Sequence, residues 1–306
     1  MAGSSSLIFP DELDKYREDP SLAFFELANA TEVIYRLPQN NDDDEDAKEA
    51  NETTKKSEST NTTTAILPPR LIRICQDSQA QTHTGGVVWE TAYLLLGYLL
   101  LQKQRQSSLG RLVEVGAGCG LLGIALAVAN RATDVTLTEV DQVLPLLKNN
   151  LECNQTLLKT CPCRAVALDW TNYRDQAQAA SLQAHSVDTI VGTDVVFSPS
   201  LVEPLWQTLD YLAHERTVIY ICVQIRCAVS HQLLLDQATN YRFLVQDITH
   251  DTVKDDKDDG EERAILPRWT QDLECFLFRI QRVEESSLDR RGKKRAHKRQ
   301  KKHHGT

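Results

Sequence analysis

Strand-like and helical patterns alternate regularly between residues 112 and 280. The strand patterns are short runs rich in Val, Ile and Leu, whereas the helical patterns place apolar residues on one face, as Val143, Leu147 and Leu151 do within residues 142–154. Such alternation is typical of a mainly parallel, doubly wound sheet. The sequence therefore predicts an α/β, Rossmann-like domain whose ligand-binding residues should lie at the carboxyl ends of its strands.

The pattern predicts seven strands and four helices. The strands are expected at residues 112–115, 134–138, 165–168, 187–192, 217–225, 242–248 and 273–280. The helices are expected at residues 121–130, 142–154, 201–213 and 230–239.

Three polar or charged stretches interrupt or flank this alternation. Residues 40–64 are almost entirely Asn, Asp, Glu, Lys, Ser and Thr, and they cannot bury enough apolar surface to fold. Residues 251–263 form an acidic insertion, and the chain from residue 284 onward is also predicted to be disordered. The chain is therefore expected to divide into an N-terminal extension at 1–83, a folded domain at 84–283 and a tail at 284–306.

Charge is distributed unevenly along the chain. The 34 Lys and Arg residues are outnumbered by 43 Asp and Glu residues, which gives the 306 residues a formal net charge of −9. Residues 290–306 hold nine of the basic residues and no acid, so the preceding residues carry −18. The basic run could be a nuclear import signal, a handle for RNA or a solvated tail without a partner. It has no aromatic residues for base stacking, and the acidic body suits a basic protein partner better than a nucleic acid.

Several classes of protein and site are not expected. The longest apolar run, residues 92–101, has about half the length needed to cross a bilayer, and the first residues lack the pattern of a secretory signal. Several of the eight Cys residues lie in apolar runs, as buried free thiols do. Cys161 and Cys163, with Cys153 upstream, have no His placed to complete a tetrahedral site, so we expect no metal. We expect a soluble protein of the cytoplasm, the nucleus or both.

A glycine-rich segment at residues 114–123 follows the first predicted strand and opens a helix. Its first three glycines, Gly116, Gly118 and Gly120, would allow a tight turn and the close approach of a ligand to the backbone. Related loops seat a dinucleotide at a helix N-terminus, and a tight turn without any ligand is the alternative.

Glu139 ends the second predicted strand, about twenty residues beyond the loop. A carboxylate there can accept hydrogen bonds from both hydroxyl groups of a ribose. The alternative is a solvated acid at a strand end. Together, the loop and the acid fit either a nicotinamide cofactor or S-adenosylmethionine.

Residues 114–120, Glu-Val-Gly-Ala-Gly-Cys-Gly, resemble motif I of the class I S-adenosylmethionine-dependent methyltransferases. Four further segments resemble one branch of that class, the family 16 protein-lysine methyltransferases (the methyltransferase-like 21 group). They are Thr-Gly-Gly-Val-Val-Trp-Glu-Thr-Ala at 84–92, Leu-Leu-Lys-Asn-Asn at 146–150 with Asn154, Leu-Asp-Trp at 168–170 and Asp-Val-Val-Phe at 194–197. The resemblance spans about residues 71–280 and implies a seven-stranded class I sheet with S-adenosylmethionine as cofactor.

The resemblance also implies which residues contact the cofactor. They are Trp89, Gly116, Ala117, Gly118, Glu139, Trp170 and Thr193. Trp170, after the third strand, could lie beside the adenine ring, and the indole of Trp89 could face the methionine end with its sulfonium cation. Ordinary core packing is the alternative for both tryptophans.

Asp194 and Phe197 stand where the family places the group that faces the transferred methyl. As catalytic residues, Asp194 would orient the substrate amine and Phe197 would line a channel that favours the neutral amine by desolvation. Capping of the following turn is the alternative role for Asp194. The absence of Pro-Pro after Asp194 favours lysine over amide or base nitrogens. The family's usual Tyr is Phe197 here, so either that hydroxyl is dispensable, the acceptor differs or activity is lost.

The sequence thus predicts a protein-lysine N-methyltransferase. Alternatives are an RNA methyltransferase guided by the basic tail and a catalytically inactive binding module with the same fold. A nicotinamide oxidoreductase is least favoured, because no His or Tyr-Lys pair follows the fourth strand. By resemblance only, the protein substrate could be a chaperone, an elongation factor or an AAA ATPase.

Overall fold

A computed structural model describes residues 6–11, 15, 18–38, 70–77, 84–102, 108–254, 262–264, 266–267 and 269–283. The predicted polar insertion at 40–64 and the predicted basic tail at 284–306 lie outside these residues. None of the helices in the described residues has the length and apolarity needed to cross a membrane.

Strands and helices alternate through most of the described chain. The strands are β1 (Ser6–Phe9), β2 (Glu32–Arg36), β3 (Leu71–Cys75), β4 (Arg111–Val115), β5 (Asp134–Glu139), β6 (Cys163–Ala167), β7 (Val187–Thr193), β8 (Ala213–Gln224), β9 (Phe243–Asp247), β10 (Thr252–Lys254), β11 (Glu262–Ala264) and β12 (Cys275–Arg282). The α-helices are α1 (Pro20–Asn29), α2 (Glu90–Leu101), α3 (Leu121–Val128), α4 (Leu144–Cys153), α5 (Tyr173–Ala179), α6 (Pro199–Leu212), α7 (Ala228–Gln237) and α8 (Trp269–Asp272).

Seven strands form the central sheet in the order β6-β5-β4-β7-β8-β12-β9. Six of them are parallel, and β12 runs antiparallel between β8 and β9. The strand order reverses at β4, so a crevice opens there at the carboxyl ends of the strands. The prediction of a seven-stranded, mainly parallel α/β sheet is confirmed.

Two of the predicted segments differ markedly from the structure. β8 begins at Ala213 rather than at residue 217, because a register shift between Val187 and Thr189 lets the polar residues 214–216 continue the strand. Residues 251–263 were expected to be an acidic loop, but their ends belong to β10 and β11, which pair as an antiparallel ladder. Residues 255–261 lie outside the described residues.

Helices cover both faces of the central sheet. All eight residues of α3 are buried, and this helix packs with α2 on one face. On the other face, α6 packs with α5 and α7, and its buried Trp206 stacks on Phe243 with ring centroids 5.5 Å apart. The double covering explains why β4 and β7 are buried along most of their length instead of alternating between buried and exposed residues.

The strands β1, β2 and β3 form a separate three-stranded sheet. Phe9 stacks on Tyr93 of α2, with ring centroids 4.2 Å apart. The buried side chain of Gln76, just after β3, donates a hydrogen bond to the carbonyl of Leu27 (2.7 Å) and accepts one from the N–H of Val88 (2.6 Å). The small sheet and α1 are therefore bonded to the segment that leads into α2.

Asn150 of α4 and Asn154, the residue at which this helix ends, bind the edge of β3. Asn150 accepts a hydrogen bond from the N–H of Cys75 and donates to the carbonyls of Cys75 and Cys119, all at 2.9 Å. Asn154, one turn later on the same helix face, accepts from the N–H of Arg73 (3.0 Å) and donates to its carbonyl (2.7 Å). The two amides satisfy backbone groups that a neighbouring strand would otherwise pair. Because Cys119 belongs to the glycine segment, Asn150 also connects the small sheet to that segment.

Replacing Asn150 with Ala leaves the backbone groups of Cys75 and the carbonyl of Cys119 buried without these partners. We expect the free energy of unfolding to fall by about 2–4 kcal/mol, measured by chemical denaturation. Asn149→Ala is the matched control, because Asn149 is the exposed neighbour on the same helix. Equal losses in the two variants would contradict the structural role of Asn150.

Glu114 is a carboxylic acid in the core of the domain. It is 1 % exposed, and its Oε2 accepts a hydrogen bond from the N–H of Gly123 at 2.9 Å. A Cβ on Gly123 would lie 2.6 Å from that oxygen, so only glycine lets α3 pack this closely on β4. Burial raises the pKa of Glu114 to about 8. The neutral acid is therefore the form that this core accommodates.

The raised pKa of Glu114 predicts a fall in stability with increasing pH. The folded state binds a proton that the unfolded state has released between about pH 4.5 and 8, so stability should drop by about 1.4 kcal/mol per pH unit there. We expect Glu114→Gln, which keeps an acceptor for Gly123, to remove this contribution and to be more stable than wild type at pH 8. Urea unfolding from pH 5 to pH 8.5 measures the difference, with Glu152→Gln as a control at an exposed acid. A difference in unfolding free energy between Glu114→Gln and wild type that stays constant from pH 5 to pH 8.5 would refute the prediction.

Candidate active site

One cavity of about 380 Å³ lies at the carboxyl ends of β4, β5 and β7. Its volume lies within the range usual for small-molecule sites. All nine residues singled out from the sequence line it: Trp89, Gly116, Ala117, Gly118, Glu139, Trp170, Thr193, Asp194 and Phe197. The structure therefore brings together residues that are separated by more than a hundred positions in the chain.

The glycine segment forms the base of this cavity. Gly116 and Gly118 have φ angles of +63° and +54°, in the left-handed region that glycine tolerates best. A Cβ on Gly116 would lie 3.0 Å from Val195 Cγ1 and 3.2 Å from Trp170 Cζ2, and one on Gly118 would lie 3.3 Å from the carbonyl oxygen of Gly85. A side chain at either position would be strained and would also reach the cavity wall.

Glu139 lies at the end of β5, beside the glycine segment. Its Oε2 accepts a hydrogen bond from the N–H of Gly118 (2.9 Å), and its Oε1 accepts one from the N–H of Val140 (3.0 Å). These bonds hold the carboxylate at the cavity wall in a single orientation. A fixed acceptor at this strand end is what recognition of ribose hydroxyls needs.

Two tryptophans form part of the wall. Trp170 is buried, begins the short 3₁₀ turn that follows β6, and lies against Gly116. Trp89 precedes α2, and its Nε1 donates to the carbonyl of Thr84 at 3.1 Å. The guanidinium of Arg226 stacks on one face of the Trp89 indole, with its Cζ 4.7 Å from the ring centroid. That Trp89 faces the sulfonium end of the cofactor stays a prediction.

Asp194 follows β7 with φ at +51°, an uncommon conformation for a residue other than glycine. Its side chain is 7 % exposed. The Oδ1 atom accepts from the backbone N–H of Gln224 at 2.9 Å, and the Oδ2 atom pairs with Arg226 Nη2 at 3.0 Å. These bonds tie the carboxylate to the end of β8, so it does not cap the turn before α6, which was the alternative role.

Glu90 completes a cluster of charges behind the cavity. Its Oε1 lies 2.9 Å from the same Arg226 Nη2 that pairs with Asp194. Burial raises the pKa of both carboxyl groups, although Arg226 opposes that shift. The two carboxylates outweigh burial at Arg226 and raise its pKa. The cluster carries a net charge of −1 when all three groups are ionised.

Sequence reasoning missed three parts of the site. Gly85, whose carbonyl approaches Gly118, lies in a segment that was noted only for its resemblance. Glu90 follows Trp89 in the same segment, and Arg226 follows the fifth predicted strand. The rule that ligands bind at the carboxyl ends of parallel strands could have identified Arg226, since β8 ends at Gln224.

The residues present fit S-adenosylmethionine in the chemistry that they offer. The glycine segment presents a backbone surface that any Cβ would obstruct, Glu139 is a fixed acceptor, and Trp170 supplies an aromatic wall. Phe197 lines the cavity and is 40 % exposed, so its ring lies at the opening rather than in the core. The individual roles of these residues stay predictions.

Comparison with known proteins identifies relatives among the lysine methyltransferases. The chain is 28% identical over 184 residues to "Protein N-lysine methyltransferase METTL21A" of Danio rerio, covering 60% of this chain and 79% of that one. It is 29% identical to "EEF1A lysine methyltransferase 3" of Xenopus tropicalis (51% and 64%) and 28% identical to "Protein-lysine N-methyltransferase EFM6" of Saccharomyces cerevisiae (47% and 63%). The chain thus spans somewhat less than two thirds of the last two relatives.

Among solved structures, a predicted O-methyltransferase from Agrobacterium tumefaciens aligns with a TM-score of 0.44 at 17% identity, over 63% of this chain and 81% of that one.

A family model described as lysine methyltransferase matches residues 68–240. The match covers more than half of the chain and includes every residue predicted for the cavity. The chain therefore belongs to this lysine methyltransferase family.

Proposed function

We propose that this protein transfers a methyl group from S-adenosylmethionine to the side-chain amine of a lysine in a protein substrate. The observation that carries the proposal is the coincidence of the family match with one cavity that is lined by four of the five family-like segments. The fifth, at residues 146–150, contacts the glycine segment through the hydrogen bond from Asn150 to the carbonyl of Cys119. The family supports the reaction type, and the cavity provides a place in which this chain could perform it.

S-adenosylmethionine, when bound, supplies an electrophilic methyl group on a sulfonium sulfur. Gly116, Ala117 and Gly118 would let the backbone approach it closely. Glu139 would accept hydrogen bonds from the ribose hydroxyls, and Trp170 would flank the adenine. Thr193, the last residue of β7, and Trp89 would bound the end at which the methyl is transferred.

The methyl acceptor must be a neutral amine, because transfer requires its lone pair. Lysine has an ordinary pKa near 10.4, so only about one molecule in a few thousand is neutral at pH 7. A passage walled by apolar side chains such as Val195 and Phe197 would favour the neutral form by desolvation. Asp194 would accept a hydrogen bond from the amine and so fix its approach. Phe197 offers a ring without a hydroxyl, so its part in the proposal is to line the passage.

The substrate is proposed to be a protein of basic character. The body of this chain is acidic, and the net charge of −1 at the Glu90–Arg226–Asp194 cluster suits the approach of a cationic side chain. The relative from Xenopus tropicalis is named for EEF1A, so an elongation factor is the first candidate to test. Chaperones and AAA ATPases follow by resemblance alone. We also propose that the protein acts in the cytoplasm or the nucleus, which imaging of a tagged chain would test.

The cofactor proposal predicts that the protein binds S-adenosylhomocysteine and that Gly116→Arg abolishes this binding. An arginine at residue 116 would fill the cavity base beside Val195 and Trp170. Calorimetric titration is the measurement, with Gly97→Arg as the matched control, because a Cβ at Gly97 meets no atom within 4 Å. If well-folded wild type fails to bind, the methyltransferase proposal is wrong.

The acceptor proposal predicts that radiolabelled methyl groups enter protein from a cell lysate and are recovered as methyllysine after hydrolysis. Deleting residues 284–306 tests the RNA alternative in the same assay. Phosphate contacts would make methylation of RNA depend strongly on salt and on the basic tail. We expect label in protein, with or without the tail. Label found mainly in RNA would favour the alternative, and cofactor binding without transfer to either would indicate a binding module.

A further inference from the structure

We infer that Arg226 is a positioning residue for methyl transfer. It holds the Asp194 carboxylate and the Trp89 indole in place at the reacting end of the cavity, which is the end at which the methyl group would be transferred. This inference rests on the proposed function, because it assigns Asp194 and Trp89 to that end. Arg226 is not a member of any segment that carried the family resemblance. The structure identifies it by its contacts alone.

The contacts of Arg226 join two elements that are far apart in the sequence. Its Nη2 atom lies 2.9 Å from Glu90 Oε1 at the start of α2 and 3.0 Å from Asp194 Oδ2 after β7. Its guanidinium also covers one face of Trp89 at 4.7 Å. Trp89 and Asp194 line the cavity, whereas Arg226 lies behind them. Arg226 therefore acts on the reacting end through these two side chains.

The cluster also needs a cation for electrostatic reasons. The side chains of Glu90 and Asp194 are only 9 % and 7 % exposed, and two carboxylates this close together repel one another. The other titratable groups that face Asp194 are Cys222 of β8 and Cys275 of β12, and burial raises the pKa of both thiols. Neutral thiols cannot offset the negative charges. Arg226 supplies the positive charge that opposes the rise in the pKa of Asp194 caused by burial.

Loss of Arg226 should therefore change two properties of the reacting end. Without the cation, Glu90 and Asp194 would share a proton, and a protonated Asp194 would accept from the substrate amine less well. The indole of Trp89 would also lose its stacking partner. A lysine at residue 226 would restore the charge but not the planar stacking, because its ammonium is a point charge on a flexible chain.

Arg282 provides a matched control within the same chain. It also stacks on an aromatic ring, Phe243, at 4.7 Å, and it pairs with Asp210 at 2.9 Å. It ends β12 at the opposite edge of the sheet from the cavity, since Arg282 pairs with the first residue of β9. Its removal should cost stability to a similar extent without touching the reacting end.

The test measures the initial rate of radiolabelled methyl transfer into lysate protein, from pH 6.5 to pH 8.5, in wild type, Arg226→Met, Arg226→Lys and Arg282→Met. An opposite charge shifts a carboxyl pKa by about 1–3 units, so activity of Arg226→Met relative to wild type should fall about tenfold or more between pH 8.5 and pH 6.5. Arg226→Lys should recover the wild-type pH profile with a lower overall rate. Arg282→Met should keep a constant ratio to wild type.

Binding of S-adenosylhomocysteine gives a second measurement that needs no turnover. Arg226→Met should bind it about fivefold more weakly than wild type, through disorder of Trp89, and Arg282→Met should not. The inference would be overturned if Arg226→Met kept the wild-type pH profile, or if Arg282→Met lost activity at low pH as Arg226→Met does. It would also be overturned if Arg226→Lys did not recover the wild-type pH profile. If wild type transfers no methyl group, the proposed function is wrong. The inference is then judged by binding alone, and it is overturned if Arg226→Met binds S-adenosylhomocysteine as tightly as wild type does.

Discussion

The turn between β4 and α3 has no room for a side chain at two of its glycines, and the rest of the site is arranged around this constraint. Gly116 and Gly118 adopt left-handed conformations there, with Val195, Trp170 and Gly85 close to the space that a Cβ would occupy. Such a turn does not hold itself in place, because its backbone groups need partners. β5 supplies these partners through the carbonyl of Thr138 and the carboxylate of Glu139, and α4 supplies another through Asn150. The shape of the cavity base therefore depends on elements that follow the turn in the chain.

The other end of the cavity depends on charge rather than on close packing. Burying two carboxylates is costly unless a cation and hydrogen bonds compensate them. Arg226 and the N–H of Gln224 provide that compensation from the end of β8. The cation also stacks on Trp89, so one side chain links the charge state of Asp194 to the position of an aromatic wall. Phe197 lies exposed at the opening of the cavity, away from this cluster of charges.

The N-terminal strands are connected to the cavity base through α4. The boundary expected at residue 83 would leave β3 outside the domain, yet Asn150 and Asn154 bind its backbone at four points. The family match begins at residue 68, just before β3, which agrees with this bonding. Asn150 contacts both β3 and the carbonyl of Cys119, so one side chain connects the small sheet to the cavity base.

The sequence by itself determined the alternation of strands and helices, the glycine turn, the acid at the end of β5 and the family-like segments, because these are local patterns with fixed spacing. It therefore predicted the central sheet, and the nine residues that it singled out all lie in the wall of one cavity. It did not predict that residues 214–216 continue β8, because their polarity resembles a loop and only the pairing of the flanking Ala213 and Val218 with β7 keeps them in the strand. Nor did it indicate the three-stranded sheet, whose strands lie on either side of a long polar insertion. Tertiary structure alone decided that Glu90, Asp194 and Arg226 share one ion pair cluster and that Trp89 carries Arg226, since contacts among α2, β7 and β8 leave no periodic signal in the chain.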